Sequence, residues 1–168
     1  MIIKGKVRKF GDNIDTDTIT PGSLLHLGTE ELSEHAFEPI SPDFAKTVQE
    51  GDIIVGGNNF GCGSSREQAT AVVKHLGIRY IVVESMARIY TRNCVALGLY
   101  PVLAKGVRGI FDEGDEIEID LDKGEVRNPK TGKKVSFEPL SGGSLEIVKA
   151  GGILAMLKKR MEMEAGRR

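Results

Sequence analysis

The chain has 168 residues, the size of one domain spanning residues 1–168, with enough core to fold without disulfides or metals. Its 23 basic and 24 acidic residues give a net charge of −1, so the chain lacks the excess of basic residues that is typical of a general nucleic-acid-binding protein. Two cysteines, Cys62 and Cys94, are too few to hold an iron–sulfur cluster or a four-thiolate zinc site. With no signal-peptide pattern and no apolar run long enough to span a membrane, the sequence predicts a soluble cytoplasmic protein.

The first 50 residues begin with a strand and continue through turns. Apolar and polar residues alternate over 2–10, which predicts a half-exposed strand, and the turn-forming residues 11–20 follow it. A short helix is expected around 30–35. Ser41 and Pro42 have the residue types of an N-cap and a first helical position, which predicts a helix ending near residue 50.

The middle of the chain alternates strands with helices. The predicted elements are a buried strand at 52–55, a glycine-rich loop at 56–63, a helix at 65–76, a strand at 79–83, a helix capped by Ser85 that ends at 97, and a strand at 100–103. Such alternation favours an α/β fold with a partly parallel sheet flanked by helices.

The last third changes character. Turn signals separate strands predicted at 116–121, 125–127 and 134–138, which we expect to pair antiparallel. Ser144 is the predicted cap of a helix ending at residue 150, and Gly151 and Gly152 separate that helix from a final one at 153–164.

The segment richest in chemical information is the loop between the strand at 52–55 and the following helix. A helix N-terminus exposes unpaired N–H groups and favours anions. The loop has no lysine in the position that a Walker motif requires, and Arg66 stands where a dinucleotide fingerprint requires glycine. Two hydroxyls, of Ser64 and Ser65, therefore stand beside one guanidinium that can grip a carboxylate.

Two interpretations of this loop are open from the residue types. Ser64 and Glu67 have the spacing of a capping box, which would make them structural. Alternatively, Ser64 acts on a bound carboxylate, although the neighbouring residues include no obvious base to activate it. The density of glycines at 56, 57, 61 and 63 favours the second interpretation, since glycine lets the backbone approach a ligand.

Four motifs resemble the small subunit, or swivel domain, of the aconitase superfamily, and the resemblance extends over essentially the whole chain. They are Asp-Asn-Ile-Asp-Thr-Asp at 12–17, Gly-Asn-Asn-Phe-Gly-Cys-Gly-Ser-Ser-Arg-Glu at 57–67, Ser-Met-Ala-Arg-Ile-Tyr at 85–90, and Ala-Gly-Gly at 150–152. In the third motif Met86 replaces the family's phenylalanine. The resemblance is greatest to the free-standing small subunits that act on isopropylmalate and homoaconitate, and it implies a swivelling β/β/α domain.

The resemblance also implies a partner and a division of labour. A separate large subunit would hold a 4Fe–4S cluster, with no metal or other cofactor bound by this chain, and the substrate would be a 2-hydroxy dicarboxylic acid. Ser64 would be the base that removes the Cα proton, while Ser65 and Arg66 would bind substrate carboxylate. Asp15 and Asp17 would orient site groups, with a purely structural Asx turn as the alternative.

Further residues receive supporting roles or none. Arg88 and Asn93 are expected to brace the loop from behind. Cys62 and Cys94 are expected to be small core or loop residues, and a redox role for Cys62 stays open.

The resemblance assigns substrate selection to residues 21–28, where Leu24, Leu25, His26 and Leu27 occur. Residues 11–45 contain eight carboxylates and no lysine or arginine, which favours the branched apolar group of isopropylmalate over the third carboxylate of homoaconitate. Because of His26, two other enzyme functions stay open: a homoaconitase, and an isomerase with broad specificity for alkylmalates. A non-catalytic, anion-binding regulatory module is the alternative outside the enzymes.

Overall fold

The computed structural model describes residues 1–166, which contain one seven-stranded mixed sheet in the order β4-β3-β2-β1-β5-β6-β7. The strands are β1 (Ile2–Lys9), β2 (Ile53–Gly56), β3 (Tyr80–Val83), β4 (Tyr100–Leu103), β5 (Glu116–Asp120), β6 (Glu125–Arg127) and β7 (Lys134–Ser136). Strands β1 to β4 pair in parallel, whereas β5 pairs antiparallel with β1 and continues antiparallel through β6 and β7. The predicted α/β fold with a partly parallel sheet is confirmed.

Seven helices flank this sheet within the described residues, and two 3₁₀ turns lie at Gly22–Leu24 and Val107–Ile110. The helices are α1 (Thr16–Ile19), α2 (Thr29–Ser33), α3 (Phe44–Thr47), α4 (Gln68–His75), α5 (Arg88–Leu97), α6 (Gly142–Ala150) and α7 (Ile153–Ala165). None of the helices in residues 1–166 has the length and apolar character needed to cross a membrane.

The parallel strands are buried on both faces, because alternate side chains enter two different cores. On one face, Ile54 and Ile81 pack with three stacked or tilted phenylalanines, Phe10, Phe37 and Phe44. On the other face, the second core contains Ile53, Val55, Val82 and Val102 from the parallel strands, and Ile117, Ile119 and Val126 from β5 and β6. The helices α1 to α5 therefore cover one face, and the antiparallel strands curl over the other.

Three predicted helix starts outside the glycine-rich segment at 56–67 are wrong. The helix expected over 41–50 is limited to Phe44–Thr47, where Thr47 Oγ1 donates back to the carbonyl of Asp43 at 2.8 Å and Val48 is extended. Ser85 does not cap α5, because its hydroxyl accepts the N–H of Asn59 at 2.8 Å. Ser144 lies inside α6, which begins after the extended residue Ser141.

Candidate active site

Two loops meet at the carboxyl ends of β1 and β2. We call residues 10–17 the N-terminal turn and residues 56–67 the glycine loop. Because β1 and β2 are parallel neighbours, their carboxyl ends lie at the same edge of the sheet, which is where α/β proteins commonly bind ligands. Four backbone hydrogen bonds then join the two loops: Gly57 N to Gly11 O at 3.0 Å, Asn13 N to Asn58 O at 2.8 Å, Gly61 N to Ile14 O at 2.6 Å, and Thr16 N to Cys62 O at 2.9 Å.

Two of the four glycines in the glycine loop are explained by contacts inside the chain. A Cβ on Gly57 would overlap the carboxylate of Asp12, and a Cβ on Gly61 would overlap the ring of Tyr90. Gly61 also has a φ of +73°, a conformation that L side chains rarely adopt. The interpretation that glycine density indicates a ligand is therefore wrong at these two positions, whereas Gly63 is exposed beside the site.

Ser64 lies outside the helix that it was considered to cap. Helix α4 begins at Gln68, three residues later than predicted, and Glu67 makes no side-chain capping bond, so the capping-box interpretation is wrong. Instead, Ser64 Oγ accepts hydrogen bonds from Arg66, at 3.0 Å from Nε and 3.3 Å from the backbone N. The Ser64 hydroxyl is thus exposed in a loop and paired with a guanidinium.

Arg66 joins the two loops through its side chain. Its Nη2 donates to Asp17 Oδ1 in an ion pair, while its Nε donates to Ser64. The Arg66 side chain is 19% exposed, against 68% for Asp17. Its Nη1 lies close to Gly22, at the start of the loop over 21–28. One guanidinium therefore bonds to the predicted base and to an acidic partner, and it lies close to the predicted specificity loop.

The two aspartates of the N-terminal turn differ in their surroundings. Asp15 Oδ1 accepts the N–H of Thr18 at 2.7 Å and so caps helix α1, which is the local role considered for it. Asp17 faces Arg66 and contacts the predicted site. The structure therefore brings Asp17 to the predicted site residues, while the Asp15 carboxylate is used within its own turn.

Supporting contacts hold the rest of the glycine loop. The carbonyl of Ser65 accepts a hydrogen bond from Asn93 Nδ2 at 3.4 Å, as expected of a residue behind the loop. Arg88 is exposed at the start of α5. A contact that the sequence reasoning missed comes from Thr16, whose buried hydroxyl accepts the N–H of Ser64 at 3.1 Å. Its position between two aspartates in the motif at 12–17 was the available signal.

The loop at 21–28 presents both apolar and polar groups. Leu24, Leu25 and Leu27 are half-buried and pack against the core under the helices, as considered for them. His26 is exposed, with its Nδ1 at 3.1 Å from the carbonyl oxygen of Ser23.

The cysteines occupy different environments. Cys94 is buried in α5, and burial raises the pKa of its thiol, which keeps it protonated and unsuited to bind a metal. Cys62 is half-buried in the glycine loop. Within residues 1–166, no three histidine, cysteine or acidic side chains are grouped closely enough to hold a metal ion.

Residues 2–106 match the family described as Aconitase C-terminal domain, which is more than half of the chain. The chain belongs to this aconitase family. The prediction from the four motifs is thereby confirmed.

Relatives and solved structures agree with this membership. A "3-isopropylmalate dehydratase small subunit 1" of Thermotoga maritima is 50% identical over 160 residues, which cover 94% of this chain and 96% of the relative. An "Isopropylmalate/citramalate isomerase small subunit" of Methanocaldococcus jannaschii is 47% identical, with 95% and 96% covered. The crystal structure of a 3-isopropylmalate dehydratase from the same organism has a TM-score of 0.92 at 44% identity and full coverage of both chains.

A relative with a different name is almost equally similar. The "Methanogen homoaconitase small subunit" of Methanocaldococcus jannaschii is 46% identical, with 95% of this chain and 94% of the relative covered. Overall identity thus does not separate the two substrate classes within this family.

The packing role of Gly61 can be separated from its backbone conformation. Gly61→Ala should lower the free energy of unfolding by about 1–2 kcal/mol for the left-handed backbone and by about 1–3 kcal/mol more for overlap with Tyr90. Gly132 has a φ of +72° with open space around it, so Gly132→Ala should show the backbone cost alone. Denaturant unfolding measures both, and equal losses would contradict the packing explanation.

Proposed function

We propose that this chain is the small subunit of a 3-isopropylmalate dehydratase, which converts 2-isopropylmalate into 3-isopropylmalate by removing and re-adding water. The observation that carries the proposal is the Ser64 hydroxyl, exposed in the glycine loop and 3.0 Å from Nε of Arg66. The names of relatives at 47–50% identity over nearly the whole chain support it. The partner is a large subunit, the substrate is a 2-hydroxy dicarboxylic acid, and the location is the cytoplasm.

Ser64 is the proposed base, and Arg66 supplies the positive charge that a serine base needs beside it. A neutral hydroxyl is a weak base, but an adjacent cation stabilises the alkoxide and so favours the form that can accept a proton. The Nε–H of Arg66 points at Ser64 Oγ and provides this charge at hydrogen-bond distance. As the hydroxyl departs, the proton on the adjacent carbon would move to Ser64 Oγ. In the second half of the reaction the same atom would give a proton to the carbon that lost the hydroxyl, while the hydroxyl of water adds to the carbon that lost the proton.

Arg66 has a second role in binding substrate. With Nε directed at Ser64 and Nη2 directed at Asp17, its Nη1 is the nitrogen that faces the loop at 21–28. We assign this edge and the exposed Ser65 hydroxyl to one substrate carboxylate. Asp17 would orient the guanidinium so that one edge serves Ser64 and another serves the substrate.

Departure of the substrate hydroxyl requires a Lewis acid, which is a different role from that of Ser64. A 4Fe–4S cluster on the large subunit would supply a Lewis acid for it. The residues of this chain suit such a division, since Cys94 is buried and protonated and Cys62 lies alone in the glycine loop.

The substrate side group would be selected by residues 21–28. Leu24 and Leu25 are half-buried and offer apolar surface to a branched alkyl group. Arg66, whose Nη1 lies close to Gly22, is already paired with Asp17, so its positive charge is partly neutralised for a third substrate carboxylate. The competing candidate is a homoaconitase, which the exposed His26 and the names of two relatives favour.

A non-catalytic anion-binding module would need Arg66 but not Ser64. The two are joined by a direct hydrogen bond, and Asp17 holds the guanidinium in the orientation that directs Nε to Ser64. This arrangement favours catalysis over simple anion capture.

Ser64→Ala should lower kcat of the two-subunit enzyme by about 10²- to 10⁴-fold, because it removes the proton-accepting atom. Its free energy of unfolding should change by no more than about 0.5 kcal/mol, because Ser64 is exposed and does not cap α4. The measurements are the isomerisation rate of reconstituted enzyme and denaturant unfolding of each chain.

Ser144→Ala, an exposed serine in α6, is the matched control and should leave the rate unchanged. The wild-type chain without its large subunit should show no turnover. A Ser64→Ala enzyme within tenfold of wild type would remove Ser64 from the mechanism.

Substrate preference should follow the charge at residue 26. His26→Arg should shift the ratio of kcat/KM toward homoaconitate by about tenfold or more, because a charge-assisted hydrogen bond contributes about 1.5–3 kcal/mol. His26→Val should shift it toward isopropylmalate. The ratio is measured for both substrates in the wild type and the two variants, and a ratio that stays constant would show that this loop does not select the side group.

A further inference from the structure

The backbone of Ser64 is not held by the hydrogen bonds of a helix. Helix α4 begins four residues later, and residues 63–67 are held by side chains of other elements. Asp17 holds Arg66, Asn93 donates to the carbonyl of Ser65, and Thr16 accepts the N–H of Ser64. The last of these three bonds reaches the backbone of the proposed base itself.

Thr16 contacts the glycine loop on both sides of Gly63. Its backbone N–H donates to the carbonyl of Cys62 at 2.9 Å, and its Oγ1 accepts the N–H of Ser64 at 3.1 Å. Gly63 lies between these two bonds with a φ of +98°, and a Cβ placed there would lie 3.3 Å from Thr16 Oγ1. Thr16 therefore bonds to the backbone on both sides of the left-handed bend at Gly63.

Thr16 is itself rigidly placed. It is 1% exposed and begins α1, where its carbonyl accepts hydrogen bonds from the backbone N and the Oγ1 of Thr20. Asp15, the preceding residue, caps the same helix. The Thr16 hydroxyl is therefore held in one position by its burial and by the capped helical turn. Residues 63–65 are exposed and lack such packing.

We propose that Thr16 is a positioning residue for the isomerisation. Through the hydrogen bond from Ser64 N–H to Thr16 Oγ1, it keeps Ser64 aligned with Arg66 and the substrate. This inference rests on the proposed function, because it assigns to Thr16 the placement of the proposed base. Reacting groups must be aligned closely, and a misplacement of about 1 Å can cost about 10²-fold in rate. Thr16 touches neither substrate nor the reacting proton.

Thr16→Val removes the acceptor while keeping the shape of the side chain. Its kcat should fall by about 10- to 100-fold with a nearly unchanged KM, since Arg66 remains paired with Asp17. Thr16→Ser keeps the hydroxyl and should restore most of the rate. If Thr16→Val fails to fold, Thr16→Ala removes the same acceptor without filling its place with a methyl group.

Thr20→Val is the matched control. Thr20 is also fully buried in the same helical turn, but its hydroxyl donates to the carbonyl of Thr16 instead of reaching the glycine loop. It should lose stability to a similar degree and keep the wild-type kcat. A Thr16→Val enzyme as fast as wild type, or a Thr20→Val enzyme equally slowed, would overturn the proposal.

Hydrogen exchange of the Ser64 amide in the full-length chain gives a readout that needs no activity. Exchange should be faster in Thr16→Val than in wild type, Thr16→Ser or Thr20→Val, because the N–H loses its acceptor. Unchanged exchange would refute the role of Thr16. If the wild-type two-subunit enzyme does not isomerise isopropylmalate, the proposed function fails, and the exchange comparison still decides whether Thr16 holds Ser64.

Discussion

Parallel pairing of β1 with β2, with Val7 opposite Ile53 and Lys9 opposite Val55, fixes where the N-terminal turn lies relative to the glycine loop. Gly5 permits this pairing, since a Cβ there would overlap the carbonyl of Gly51. Both loops leave the same edge of the sheet, and the backbone bonds between them continue the pairing beyond the strands. Residues nearly 50 positions apart in sequence thereby form one surface.

The chemistry of that surface depends on how one guanidinium is shared. Arg66 donates to Ser64 and to Asp17, so the cation that would stabilise an alkoxide is itself held in place by an anion. Such a pair is partly exposed, and its contribution to folding stability is therefore small. Its value lies in orientation, because a planar guanidinium fixed at one edge can direct its other N–H groups.

The sequence predicted the elements better than their ends. Alternation of strands with helices and β-branched runs predicted the sheet correctly, because parallel strands buried on both faces have a distinctive composition. The starts of α4 and α5 could not be predicted, since Ser64 and Ser85 satisfy capping rules locally but make other hydrogen bonds. At Ser85 a tertiary contact with Asn59 overrode the local preference. At Ser64 the competing partner is Arg66, two residues away, whose guanidinium also bonds to Asp17.

The site was predicted through motifs, and its internal geometry was not. Ser64, Ser65 and Arg66 lie together, and Asp17 joins them, but nothing local predicts that Asp17 pairs with Arg66 or that Asp15 serves its own helix. Glycines 57 and 61 indicated a ligand from sequence, whereas the structure assigns them to contacts with Asp12 and Tyr90. A glycine requirement shows close approach without showing what approaches.

The proposed mechanism requires the N-terminal turn to act on the reaction through Arg66 and Ser64. A double-mutant cycle of Asp17→Asn and Ser64→Ala, measured as kcat of the two-subunit enzyme, tests this requirement. If Asp17 works through the proposed base, the double variant should be no slower than Ser64→Ala alone, because residues that act as a unit are non-additive. Losses that multiply, with the double variant slowed by the product of the two single effects, would show that Asp17 does not act through Ser64.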